Sequence, residues 1–439
     1  MPPQRVDGSQ PGPGSGGLTV SQEMQRLLDR PGYLKSSQGG QKLRELYVDE
    51  SANFNARKLN QFAFYCYVGC LPEVKRMVEA GIAPDLTGTE TPYKFGYATI
   101  TISGAQRVEL LSRTSGRPVQ SETNNPKGTL EYLLSRGTPP DVQDIVGYTA
   151  LHHATMNANA KIDLARILLE NGANVNHQNK YGEVPLFGCF QTNQTASIDL
   201  LMEFGASLEI PEADGILPRH FHLRCGPRVS ATVDKWVRKR AGEEAALAEK
   251  KCNSCGKEGV SLKQCGKCHS ARYCSVECQR SHWRTHKKTC KPFTEENTVT
   301  LKPFYHAGAQ IMSTSDTIRN LMGIPTDPVP PKNKRADRAP SESTFSPSQP
   351  KSLIIKVQVP YSPLGSGAPT STAPLMVYNK KRDFACMIRM GDNPDGYRRV
   401  CQVVRDQGIG GAKAYFAAEL KSRNELVVKV GEVLATQPF

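Results

Sequence analysis

The sequence predicts a mainly α, multidomain chain: an α-solenoid of helix-pair repeats, a small unit folded around two metal ions, and a small C-terminal α+β unit. Three observations carry that prediction. Glycines recur 35 and then 33 residues apart, in two registers, between residues 137 and 215. Eight cysteine and histidine side chains at metal-ligand spacing fall within residues 252–290. Apolar runs of strand character surround one short amphipathic helix after residue 351. The bulk properties agree. At roughly 150 residues per domain, 439 residues make two or three folded units. Hydrophobic residues at 38% and charged residues at 22% supply real cores and argue against wholesale disorder. The formal charge of +14 permits acidic partners without requiring them. No apolar run reaches the roughly 18 residues of a membrane helix. The opening MPPQRVDGSQPGPGSGG lacks the apolar core of a secretion signal. An intracellular setting, nucleus or cytoplasm, is therefore expected, where 13 cysteines point to metal rather than disulfides.

Residues 1–18 are rich in Pro, Gly and Ser and read as a disordered tail. Residues 19–57 read as a helical cap. Two helical patterns, LTVSQEMQRLLDR (18–30) and GQKLRELYVDE (40–50), are separated by Pro31-Gly32 and are expected to cover the exposed end of the repeats.

Residues 58–233 carry the repeats. VKRMVEAG, LEYLLSRG, ARILLENG and IDLLMEFG end at Gly81, Gly137, Gly172 and Gly205, each glycine suiting a left-handed helix C-terminus. Gly147, Gly182 and Gly215 form the second register and precede the helix starts in GYTALHHA, GEVPLFGC and GILPRHFH. This pattern resembles the ankyrin repeat, most closely over 137–223. The resemblance implies four copies stacked as one solenoid, whose fingers and first helices bind proteins. The copy around 58–91 is weaker, and the one opening at TPYKFG (91–96) carries about 23 surplus residues, an insertion expected near 103–127. His152, His153 and His177 are expected to make local hydrogen bonds. Cys66, Cys70, Cys189 and Cys225 are expected to be small buried hydrophobes. Residues 234–251 read as a polar helical spacer.

The next stretch reads Cys252-x2-Cys255-x9-Cys265-x2-Cys268-x5-Cys274-x3-Cys278-x7-His286-x3-Cys290. Eight such ligands make two tetrahedral zinc sites. The x3 pairs place two side chains on one helix face, so each Cys-x2-Cys turn is completed by a helical pair. Spacing alone allows sequential sites (252/255/265/268 and 274/278/286/290) or interleaved ones (252/255/274/278 and 265/268/286/290). The ligand order, ARYC (271–274) and CQRSHWRTHKKTC (278–290) resemble the MYND zinc finger. That resemblance implies the interleaved sets: Cys252, Cys255, Cys274 and Cys278 on one zinc, and Cys265, Cys268, His286 and Cys290 on the other. It further implies a groove for proline-containing peptides, formed by Gln279 and Trp283 with Tyr273 nearby. His269 and His282 are not needed as ligands. Four protein ligands per ion leave no open position, so both zinc ions are expected to be structural.

Residues 291–350 read as a connector with a Pro-rich linker at 325–350, in which KNKRADR (332–338) has the composition of a nuclear signal. Residues 351–439 form the C-terminal unit. SLIIKVQVP (352–360) and LMVYNKKRDFACMIR (375–389) read as strands. DGYRRVCQVVRDQG (395–408) reads as a helix closed by Gly408, and 413–430 as a hairpin across Lys421–Asn424. The run Gly408–Gly411 follows a helix rather than opening one, which makes it a turn and not a phosphate loop.

The expected function is a non-enzymatic scaffold: the repeats bind one protein and the finger a proline-containing peptide, in a setting of transcriptional regulation. Two alternatives stand beside it. Ten Lys/Arg against Glu258 and Glu277 in residues 251–291 would attract nucleic acid. The same finger occurs inside SET-type lysine methyltransferases, which carry a Gly-rich cofactor loop before it and an Asn-His motif after it. Here the preceding region resembles ankyrin repeats, and the sole Asn-His, Asn176-His177, lies in a repeat loop.

Overall fold

The glycine period sets the first of two units in the computed structural model, Met1–Phe221; the second is His222–Phe439. The structure describes residues 14–115, 124–242, 251–268, 271–305, 350–360, 373–380 and 384–434. KNKRADR and most of the Pro-rich linker lie outside the described residues.

In the first unit, α1 (Gln22–Leu28) and α2 (Gly40–Ser51) precede four helix pairs. The pairs are α3 (Gln61–Val68) with α4 (Leu71–Glu79), α5 (Tyr97–Ser115) with α6 (Pro126–Ser135), α7 (Ala150–Thr155) with α8 (Ile162–Glu170), and α9 (Pro185–Gln191) with α10 (Thr195–Glu203). The short α11 (Pro218–Phe221) follows. The seven repeat glycines take φ between 67° and 94°, as both registers predict. At Gly182 the demand is double, since a Cβ would also lie 2.8 Å from the backbone nitrogen of Ala213. Successive fingers are laddered: Ile145 N–H donates to Tyr93 O (3.0 Å), Lys180 N–H to Val146 O (2.8 Å) and Ala213 N–H to Tyr181 O (2.8 Å). The surplus residues of the second copy begin as helix, because α5 continues to Ser115.

The N-terminal helices sit elsewhere than expected. They lie along the fingers instead of covering an end of the array. Leu34, Leu43 and Tyr47 share one buried cluster with Tyr93, Val146 and Tyr181. Leu34 N–H donates to Lys180 O (2.8 Å), Arg44 pairs with Glu183 (2.8 Å) over the Tyr181 ring, and Tyr47 Oη–H donates to the buried Asp144 carboxylate (2.6 Å). Residues 14–18, read as tail, are also engaged: Gly14 N–H donates to Lys58 O (2.9 Å), and Leu18 is buried. Amphipathicity shows that a helix has a partner without saying which.

The second unit begins with α12 (Pro227–Arg240), which starts earlier than the expected spacer and buries Val229, Val233 and Trp236; residues 243–250 lie outside the described set. The finger contributes a two-stranded ladder, β1 (Lys263–Gln264) and β2 (Arg272–Tyr273), and one helix, α13 (Val276–Thr289). An antiparallel six-stranded sheet follows, curled as a half-barrel. Its strands are β3 (Thr298–Leu301), β4 (Lys351–Gln358), β5 (Leu375–Asn379), β6 (Ala385–Ile388), β7 (Lys413–Ser422) and β8 (Glu425–Lys429), in the order β3-β8-β7-β4-β5-β6. The β7–β8 hairpin falls where the sequence puts it, and 375–389 is itself a hairpin. α14 (Pro394–Gln407) buries Tyr397, Val400 and Val404 against the sheet. β3 is the departure. It lies in the stretch read as a connector and pairs with β8 from Thr298↔Lys429 to Leu301↔Leu426, so the finger's exit chain is an edge of the C-terminal sheet.

Candidate metal centre

The finger is assembled from turns that fix cysteine backbones before any side chain is considered. In the first knuckle Gly256 N–H donates to Cys252 O (2.9 Å) and Cys252 N–H to Lys257 O (3.0 Å). Cys265 N–H donates to Ala271 O (2.8 Å), which sets the second knuckle at the end of the β1–β2 ladder. Ser275 caps α13 by accepting from Cys278 N–H (3.2 Å). Cys278 therefore sits in the first turn and His286 in the last, with Cys274 just before the cap and Cys290 at the C-cap. The spacing predicts two donors on one helix face for each site. Instead, one helix serves both groups, one from each end.

The donor atoms gather in the interleaved sets. Cys252, Cys255, Cys274 and Cys278 form one group, and Cys265, Cys268, His286 and Cys290 the other, with the donor atoms of each group within 4.8 Å of one another. Tetrahedral zinc with Zn–S near 2.3 Å and Zn–N near 2.05 Å requires S···S edges of about 3.8 Å and S···N edges of about 3.6 Å. The observed separations are 3.6 Å for Cys255–Cys274, 3.5 Å for Cys274–Cys278 and 3.5 Å from Cys268 Sγ to His286 Nε2. The residues present thus fit zinc in both donor type and separation. None of the 13 cysteines forms a disulfide.

Proton affinities follow the same geometry. Burial raises the Cys252 thiol, but the N–H groups of Cys255, Cys274 and Ser254 outweigh it and hold it at about 6. Cys274 is pushed up to about 12, chiefly by its bonds to the Cys278 and Cys255 sulfurs. Cys290 is likewise pushed up to about 12, by burial and then by the neighbouring Cys268 and Cys265 sulfurs. Cys274 and Cys290 therefore retain their protons until a cation replaces them. Burial, and then His282, lowers His286, favouring the neutral imidazole that ligates metal.

The three residues expected at a peptide groove are not placed alike. Tyr273 is 1% exposed, in the finger's core, with its hydroxyl 3.1 Å from His282 Nδ1. It is no surface residue. Gln279 is half-buried on α13, and Trp283 is 38% exposed, its ring 5.8 Å from Lys267 Nζ and 5.9 Å from the His286 ring. Val276, which the sequence reading does not single out, is 46% exposed one turn before Gln279. The i, i+3, i+7 spacing of Val276, Gln279 and Trp283 was the signal that could have found it. His269 lies outside the described residues.

The remaining cysteines and histidines of the repeats do local work. Cys66, Cys189 and Cys225 are buried, and burial pushes the Cys189 thiol up to about 12; Cys70, also expected to be buried, is only half-buried at the N-cap of α4. His152 Nδ1 accepts from Thr149 N–H (3.2 Å) and lies 3.3 Å, through Nε2, from Glu183 O, so it closes a capping box. Among the described residues, no helix is long and apolar enough to cross a membrane.

Comparison with known proteins agrees with this geometry. The family model "MYND finger" matches residues 252–290, and "Ankyrin repeats (3 copies)" matches residues 120–212. The E3 ubiquitin-protein ligase KEG of Arabidopsis thaliana is 33% identical over 109 residues, 25% of this chain and 6% of that protein. SET domain-containing protein 14 of Caenorhabditis elegans is 43% identical over 51 residues, 12% of each chain. N-lysine methyltransferase SMYD2 of Bos taurus is 46% identical over 41 residues, 9% of this chain and 10% of that protein, within the MYND region. The chain thus matches 12% or less of the length of these relatives. It carries ankyrin repeats and a MYND-type zinc finger, two non-catalytic interaction modules, on one polypeptide.

Proposed function

We propose that the chain is a non-enzymatic adaptor whose finger holds two structural zinc ions and docks a proline-containing peptide, while the ankyrin solenoid engages a second protein. Cys252, Cys255, Cys274 and Cys278 are the ligands of one ion; Cys265, Cys268, His286 and Cys290 are those of the other. The observation that carries the reading is the grouping of eight donors at zinc-like separations in two closed sets. Four protein donors complete each tetrahedron, leaving no position for substrate or activated water. Native mass spectrometry is expected to find two zinc ions per chain; one or none removes the assignment.

The docking face is the outer side of α13. Trp283 presents a flat ring and Val276 an apolar neighbour, with Gln279 between them to hydrogen-bond a peptide backbone. A proline-rich peptide is already extended and loses little entropy on binding such a surface. Trp283→Ala is expected to weaken a proline-containing peptide about tenfold, roughly 1.4 kcal/mol, with zinc content unchanged. Fluorescence anisotropy with a labelled peptide reads the affinity, and equal binding by both proteins excludes this face. The N-terminal helices occupy the finger tips around residues 144–148 and 179–183, so the second partner engages a different face of the repeats. Two modest contacts on one chain act together through effective concentration, which suits a regulatory adaptor in nucleus or cytoplasm.

A further inference from the structure

A buried lysine reaches the second donor group from the far end of the sequence. Lys429 closes β8, and its side chain is 0% exposed. Its ammonium donates to the backbone carbonyl of Cys268 (3.2 Å) and to Glu432 Oε2 (2.6 Å), and lies 5.8 Å from the ring centroid of Phe293. Cys268 belongs to the Cys265–Cys268–His286–Cys290 group, Phe293 follows the last donor by three residues, and Thr298, the β3 partner of Lys429, starts the strand that continues this chain. One ammonium therefore holds the second knuckle, the finger's exit and the sheet edge together. A buried charge requires partners, and removing one leaves the others uncompensated.

The charge also has a sign that suits the site. Three thiolates around a divalent ion leave one net negative charge, which an adjacent buried cation stabilises. Hydrogen bonds just outside a ligand set fix ligand orientation and govern metal affinity. We propose that Lys429 is a positioning residue coupling ion loading at Cys265, Cys268, His286 and Cys290 to the order of the C-terminal sheet. This rests on the zinc reading of that donor group. Coupling of this kind is reciprocal: the sheet tightens the ion, and the ion orders the sheet.

The test uses the full-length chain. Chelator competition measures zinc affinity in wild type and Lys429→Met, and cobalt substitution separates the three-sulfur, one-nitrogen site from the four-sulfur site by their d–d bands. Lys429→Met is expected to release one ion about tenfold more readily and to alter the three-sulfur, one-nitrogen bands alone. In wild type, removing zinc is expected to increase amide exchange at residues 425–429 and 298–301; this arm needs no variant to fold. Unchanged affinity in Lys429→Met, or unchanged exchange in those strands on zinc removal, overturns the coupling. A wild-type chain holding fewer than two zinc ions overturns the zinc reading instead, so the two failures are distinguishable.

Discussion

Cys265→Ala is expected to unfold residues 252–290 while the ankyrin repeats keep their structure. The finger's buried hydrophobic residues are Cys252, Cys265, Cys268, Ala271 and Tyr273, with Leu262 partly covered. Only one of these is a large hydrophobe, and burying it contributes about 3 kcal/mol or less. Fixing a backbone costs roughly 1–2 kcal/mol per residue, so a segment of this length cannot stay ordered on such a core. In small metal-built domains of this kind metal binding and folding are one step, and the chain is unfolded without the ion. With Cys265 absent, its group keeps two sulfurs and one imidazole, and the interleaved chain path passes the loss to the neighbouring group. The repeats have separate cores, one of them built from Phe62, Val74, Tyr97 and Leu133 and free of any metal donor set. Region-resolved hydrogen exchange checks this. Amides of 272–289 are expected to lose protection and those of 126–205 to keep it. Retained protection in the finger, or loss in both regions, contradicts the account.

What was legible in the sequence was local. A left-handed glycine after a helix, a Cys-x2-Cys turn and a β-hairpin are each decided within a few residues, so Gly137, Cys252–Cys255 and the β7–β8 hairpin could be read directly. The grouping of donors was legible only through a family resemblance, because spacing allowed two pairings. What stayed hidden depends on partners far away in the chain. Four residues of TVTL cannot announce that they pair with β8, more than 120 positions later. Arg44 and Tyr47 lie in a short helical pattern that names no partner, and their partners are Glu183 and Asp144 on two different fingers. Buried lysines are the extreme case. Lys413, which donates to Leu223 O and Ser230 Oγ, and Lys429 both sit at strand ends, where any sequence rule places them in water. The family resemblance puts Tyr273 beside a groove, but in so small a finger it is most of the apolar core.

Acid is expected to destabilise the repeats through His152, and His152→Gln is expected to remove most of that sensitivity. Burial, opposed only partly by its hydrogen bond to Glu183 O, lowers His152 from the ordinary histidine value to about 3. In the unfolded chain the same imidazole titrates near 6.5. The unfolded state therefore binds the proton first as pH falls, and stability present above about pH 6.5 is lost progressively toward about pH 3. Each pH unit inside that window is about 1.4 kcal/mol at most, so acidification from about pH 7 to pH 4 costs the repeats about 3 kcal/mol from this residue. The loss is structural as well as electrostatic. Protonation of Nδ1 removes the acceptor that Thr149 N–H uses, opening the capping box at the start of α7. Glutamine at the same helical position retains a cap acceptor and has no proton to take up. His177 is also lowered by burial, and lies 6.0 Å from His152 ring to ring, but it is present in both proteins and cancels in the comparison. Denaturant titrations read by hydrogen exchange in residues 150–170 would measure the difference. At about pH 7 the variant is expected to be the less stable protein, since it gives up the ring's packing, and by pH 4 the order is expected to reverse. Parallel stability curves for the two proteins would mean that the buried ring is not what makes these repeats sensitive to acid.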